Sequence, residues 1–187
     1  MHVFNSASAL IGKGLHAVTR VSAIFLATLL VGVLGQSAFA TTATWDNGAP
    51  GGNKNKWASN GQRPNNWNPN QTPNAADDVA IFAGDGNSGI SLEENLSVGE
   101  IRFDSTDVGY VISGSNTLTF DVTSGSAALN VLSTNSASHE LGMNMTLADD
   151  LVIDHQGTGV LTLSGAISGV GRNVTLQGSG SVVLMSA

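Results

Sequence analysis

The run from Leu161 to Leu184, LTLSGAISGVGRNVTLQGSGSVVL, places short apolar alternations between breaks of glycine and serine. Leu161 and Leu163, Val174 and Leu176, and Val182 and Leu184 are pairs one residue apart. A one-residue skip puts both side chains on the same face of a strand. The same pairs recur upstream as Leu151 and Ile153, Leu129 and Val131, Leu118 and Phe120, and Ile101 and Phe103. No stretch here sustains i, i+3, i+4, i+7 spacing, so residues 75–187 read as short strands without a long helix.

Two series of inward candidates interleave along this region. Phe82, Phe103, Phe120, Met143, Leu163 and Leu184 are separated by 21, 17, 23, 20 and 21 residues, and Leu92, Ile112, Val131, Ile153 and Leu176 by 20, 19, 22 and 23. A period near twenty predicts an all-β solenoid of about five coils, each giving one strand to each of two parallel sheets. A β-sandwich, with strands about every 8 to 12 residues, is the alternative.

Upstream of the repeats, residues 41–74 hold all four prolines, all three tryptophans and many Asn and Gly residues. That density of turn formers rules out a long regular element and predicts a loop region or cap. Residues 1–40 have a different organisation: a polar start carrying Lys13 and Arg20, a fourteen-residue apolar run from Val21 to Leu34, and Ala38-Phe39-Ala40 before a break. A helix of that run rises only about 21 Å against a hydrocarbon core of roughly 30 Å. The reading is a Sec-type signal peptide cleaved after Ala40, with export to the cell surface or extracellular space.

Two of the seven basic residues lie in that segment and all fourteen acidic ones beyond it, so the mature chain carries 5 − 14 = −9. An acidic surface with scattered Lys54, Lys56, Arg63, Arg102 and Arg172 repels phosphate backbones, which argues against nucleic-acid binding. The chain has no cysteine, so disulfides and thiolate metal sites are excluded. Charged residues are 11% of the chain, against roughly 25% in an average globular protein, a bias toward turns and solvated strands.

The C-terminal run resembles the autotransporter-associated β-strand repeat of exported bacterial proteins, with an LTLSG.ISG.G..T..G.G.LVL look. TWDNG, an Asn-rich stretch, NW, a proline and DDVAIF are similar to the start of mature proteins that carry such repeats. The resemblance implies a single-stranded right-handed parallel β-helix, exposed at or released from the cell surface, and it does not imply an enzyme. Arg172-Asn173-Val174 departs from the leucine-threonine-lysine stretch common at that place. Autotransporters also continue into a membrane-spanning β-barrel, whereas this sequence stops three residues after Leu184. The expectation is a solenoid truncated at its C-terminal end, with a missing translocator domain or a partner to cover an apolar strand edge.

Candidate sites are few. Gly84-Asp85-Gly86-Asn87-Ser88-Gly89 matches G-x-G-x-x-G, but ISLEENLSVGEIRF after it is no phosphate-binding helix. As a calcium loop it has Leu96 where a bidentate carboxylate belongs. Asp77-Asp78, Glu93-Glu94 and Asp149-Asp150 are acidic doublets; neighbours on a strand face opposite ways, so catalysis would need convergence between coils. His139 and His155 lie in no HExxH spacing and near no G-x-S-x-G serine, and read as solvated loop or strand-end residues. Trp45, Trp57 and Trp67 lie among polar residues, a setting for stacking on sugar rings or, alternatively, for plugging the open end of a solenoid. The residues therefore predict no catalytic, cofactor or metal site. The functional expectation is a non-enzymatic surface or secreted module, serving as spacer, surface component or adhesin-like passenger. An extracellular polysaccharide-binding or polysaccharide-cleaving protein is the alternative.

Overall fold

In the computed structural model, residues 39–58, 65–84 and 89–185 are described. The signal-peptide reading lies outside them except at Phe39 and Ala40, and so does the Asp85–Ser88 part of the glycine loop. The alternating pairs form strands of two to five residues. The described residues open with β1 (Thr42–Trp45), a 3-10 turn at Gly51–Asn53 and β2 (Trp67–Asn68). A first coil follows in β3 (Val79–Phe82), β4 (Gly89–Ser91) and β5 (Leu96–Val98), and a second in β6 (Glu100–Phe103), β7 (Val111–Ser113) and β8 (Thr117–Phe120). The third is β9 (Ala127–Val131), β10 (His139–Leu141) and β11 (Asn144–Leu147). The fourth is β12 (Leu151–His155), β13 (Val160–Leu163) and β14 (Ile167–Ser168), and a partial fifth holds β15 (Val174–Gln177) and β16 (Ser181–Leu184).

Equivalent strands of successive coils pair in parallel and build three sheets, ordered β15-β12-β9-β6-β3-β1-β2, β16-β13-β10-β7-β4 and β14-β11-β8-β5. This is a β-solenoid of about four turns. It is not a sandwich, because from β3 onward the strand pairing is parallel.

One expectation is corrected: each coil has three strands on three sheets, not two on two. One in-register column of the first sheet is Ala80, Ile101, Leu129 and Ile153, all buried, followed by the exposed Leu176 of the last coil. Its steps are 101 − 80 = 21, 129 − 101 = 28, 153 − 129 = 24 and 176 − 153 = 23 residues. Longer corners after β6 and β8 stretch one turn. A constant period near twenty therefore drifts across faces: Phe82 and Phe103 stack in the first sheet, Phe120 belongs to the third, and Leu163 and Leu184 to the second.

Every strand from β3 to β13 turns one side inward, and the interior is filled by Ile90, Ile112, Leu141 and Leu163 from the second sheet and Val98, Phe120 and Leu147 from the third. Neighbouring coils approach too closely for side chains at some corners. A Cβ on Gly159 would lie 1.9 Å from the Ala137 carbonyl oxygen, and one on Gly165 would lie 1.8 Å from that of Met143. The last coil is different, since Val174, Leu176, Val183, Leu184 and Met185 are all exposed.

Candidate functional site

The N-terminal end of the solenoid is where the sequence concentrates its unusual residues. Alternation in TATW lets β1 pair in parallel with β3, through Thr42 with Val79 and Thr44 with Ile81, while β2 runs antiparallel to β1. A second segment extends the adjoining sheet. The Ser91 amide donates to the Asn55 carbonyl at 2.7 Å and the Trp57 amide to the Ser91 carbonyl at 3.0 Å. The region read as loop thus adds a strand-like layer to two of the three sheets.

All three tryptophans meet over Phe82. Their ring centroids lie 6.2 Å (Trp45), 5.6 Å (Trp57) and 5.5 Å (Trp67) from that of Phe82, and Trp67 is 5.3 Å from Trp45 and 5.0 Å from Trp57. Edge-on and tilted aromatic contacts at these distances are favourable. Trp45 is 1% exposed and the other two 0%. The Trp67 indole donates to the Trp57 carbonyl at 2.8 Å, and the Trp57 indole to that of Pro73 at 3.0 Å. With no face open to solvent, stacking on a sugar would require the cap to open.

Asparagines carry the loop conformation, a role the sequence reading missed. The buried Asn66 amide donates to the carbonyls of Asn53 (2.8 Å) and Lys56 (2.7 Å), and its oxygen accepts from the Ala49 amide at 2.8 Å. Asn65 accepts from the Trp67 amide at 3.0 Å. The signal was the clustering of Asn around each tryptophan, which marks turns whose backbone groups need side-chain partners.

Two of the acidic doublets lie at the corner that leads into the first sheet, and their carboxylates join coils. Asp77 accepts from the Thr123 amide (3.0 Å) and hydroxyl (2.7 Å), which hold its carboxyl below the usual range, the hydroxyl first. Asp78 is buried and accepts from the amides of Thr41 (2.6 Å) and Asn74 (2.8 Å). Asp149 accepts from the Val122 amide at 3.1 Å and lies 3.6 Å from Arg172. Asp150 is held below the usual range chiefly by the Asn173 amide, then by its side chain and, more weakly, by Arg172. Glu93 and Glu94 lie at a different corner, before β5.

Both histidines do lie at strand ends, as the first residue of β10 and the last of β12, but they are not solvated, because both rings are in the core. His139 is 2% exposed, stacks on Phe103 with centroids 4.0 Å apart, and accepts from the Tyr110 amide at Nδ1, while its Nε2 has no hydrogen-bond partner. Burial, with a smaller contribution from His155, pushes it down to about 4. His155 is fully buried and also lowered by burial, against weaker opposition from the Gly159 backbone and the Asp154 carboxylate. Period-2 alternation held the signal: His139-x-Leu141 and Ile153-x-His155 put each imidazole on the inward face of its strand.

Among the described residues, no group of three or more His, Asp or Glu side chains is placed to hold a metal ion. No protein-family model, curated protein or solved structure matches this chain.

Proposed function

We propose that the mature chain is a non-enzymatic, exported β-helical repeat module that serves as a spacer, surface component or adhesin-like stalk outside the cell. The observation that carries this reading is the use of the reactive side chains as structural joints. Asp77, Asp149 and Asp150 tie one coil to another through backbone amides, Asp78 ties the N-terminal segment to the first coil, and His139 and His155 fill the interior. Groups bound in this way hold the stack of coils together. The resemblance to autotransporter-associated repeats and the signal-like N-terminal segment support export.

The exposed apolar residues of the last coil, Leu176, Leu184 and Met185 among them, suit a neighbour such as further coils, a translocator domain or a partner protein. Fractionating cells that express the full chain, then incubating exported material with anionic and neutral polysaccharides, tests the proposal. The expected result is surface or secreted protein that cleaves no polysaccharide. Cleavage would establish the enzymatic alternative, retention without cleavage a carbohydrate-binding role, and protein confined to the cytoplasm would refute export.

A further inference from the structure

Asp78 is only 4% exposed, and no lysine, arginine or histidine side chain among the described residues forms an ion pair with it. Its two carboxylate oxygens accept from the backbone nitrogens of Thr41 and Asn74 at 2.6 and 2.8 Å. Its own carbonyl accepts from the amides of Gly99 and Glu100, so the residue is fixed between the first two coils. The neighbouring carboxylates are turned to other partners, Asp77 to Thr123 and Glu100 to Arg102 and Asn130. A buried carboxylate calls for hydrogen bonds and an opposite charge, and this one has two amide donors but no cationic side chain among the described residues.

The nitrogen closest to this carboxylate belongs to the residue that follows the Ala38-Phe39-Ala40 motif. Phe39 is 93% exposed and Ala40 is exposed, whereas Thr41 is 8% exposed and its carbonyl accepts from the Val79 amide at 2.7 Å. Among the described residues, the change from exposed to buried chain falls at the Ala40–Thr41 bond. We propose that hydrolysis of this bond creates an α-ammonium group on Thr41 that pairs with the buried Asp78 carboxylate and fastens the N-terminal strand to the first coil.

In the reaction, water adds across the peptide bond, Ala40 leaves as a carboxylate, and the Thr41 nitrogen retains the electron pair and becomes protonated. A neutral donor to the carboxylate becomes a cationic one, so the existing hydrogen bond gains the attraction of an ion pair at a site where Asp78 is almost wholly screened from water. Processing would therefore complete the fold as well as release it. The inference rests on reading residues 1–40 as a cleaved signal.

Pairing raises the amine above its ordinary value of about 7.7 to 8.0. Its stabilisation is complete below that value and is lost as pH rises through the raised one. The test uses the full chain, expressed and processed in an exporting bacterial host, beside a variant with Gly-Ser inserted between Ala40 and Thr41. The insertion keeps the A-x-A motif and the Thr41 amide but moves the new ammonium away.

Intact mass identifies the N-terminus, melting is followed from pH 7 to 10.5, and acylation of the α-amine at pH 8 is timed against a peptide of the same N-terminal sequence. The expected product begins at Thr41, melts lower above pH 8 where the inserted variant does not, and acylates at least about fourfold more slowly than the peptide, as a rise of one unit in the amine's value gives at pH 8. A mass that retains residues before Thr41 overturns the reading of the N-terminal segment and the inference with it. The right mass with a peptide-like rate and matching alkaline profiles overturns the pairing alone.

Discussion

Replacing Trp67 with alanine should cost the protein most of its N-terminal organisation. The side chain is fully buried and touches Trp45, Trp57 and Phe82, and its indole nitrogen donates to the Trp57 carbonyl. Truncating a buried tryptophan costs about 3 to 5 kcal/mol, and each lost aromatic pair contributes about 0.5 to 1.5 kcal/mol beyond its area. Three such pairs put Trp67→Ala at the top of that range, about 4 to 5 kcal/mol. A domain stabilised by about 5 to 15 kcal/mol would lose a large part of its margin, and its melting point would fall by roughly 10 °C. Urea unfolding followed by far-ultraviolet circular dichroism measures the loss, because the signal does not depend on the ring removed. Trp67→Phe should recover about half of it. If Trp67→Ala cost less than about 1 kcal/mol, comparable to an exposed side chain, the aromatic cap would not exist as described. Loss of polysaccharide retention at unchanged stability would make these rings a binding platform.

The buried histidines predict an acid-sensitive core. Both are depressed below the ordinary 6.5, so the unfolded chain binds protons first and stability falls as pH drops from about 6.5 toward the value of about 4 at His139. The slope reaches up to about 1.4 kcal/mol per pH unit per ring, and His139→Phe should flatten it in denaturant titrations across this window. A second acid phase belongs to Asp77 and Asp150, whose carboxyls are also held low: their stabilisation is present above about 3.8 and lost as pH falls through the depressed values. Asp77→Asn should weaken that phase in melting curves below pH 4 and leave the histidine phase intact. Gly159→Ala should destabilise by about 1 to 3 kcal/mol, because its Cβ would press on the Ala137 carbonyl, whereas Gly52→Ala, with open space around it, should be close to neutral in the same assay.

The strands were legible because alternation is a local property. Ile101 and Phe103, or Leu161 and Leu163, announce an inward face without knowledge of their neighbours. The number of sheets was not legible, since it depends on how many short bursts close one turn and on corner lengths. The step from Ile101 to Leu129 contains 28 residues and that from Ala80 to Ile101 only 21, so a search for a uniform period merges faces. The tryptophans could be placed at the end of the solenoid from composition and the need for a cap. Their joint contact with Phe82 could not, because the asparagine clamps act across 10 to 17 residues of irregular chain. The histidines were misjudged by residue type: imidazole is polar on average, but position in the alternation decided its burial.

The most direct test of a parallel, in-register solenoid is a set of distances along one column. Thr44, Ile81, Arg102, Asn130, Asp154 and Gln177 follow one another in register across the first sheet. Thr44 and Gln177 are five strand spacings apart, about 24 Å at roughly 4.8 Å per step. The chain has no cysteine, so spin labels attached to paired substitutions such as Thr44→Cys with Gln177→Cys, and Arg102→Cys with Gln177→Cys, report single distances by pulsed electron resonance. The account predicts backbone separations that grow in equal steps, from about 14 Å for three spacings to about 24 Å for five. Distances that do not increase with the number of coils between the labels would contradict it.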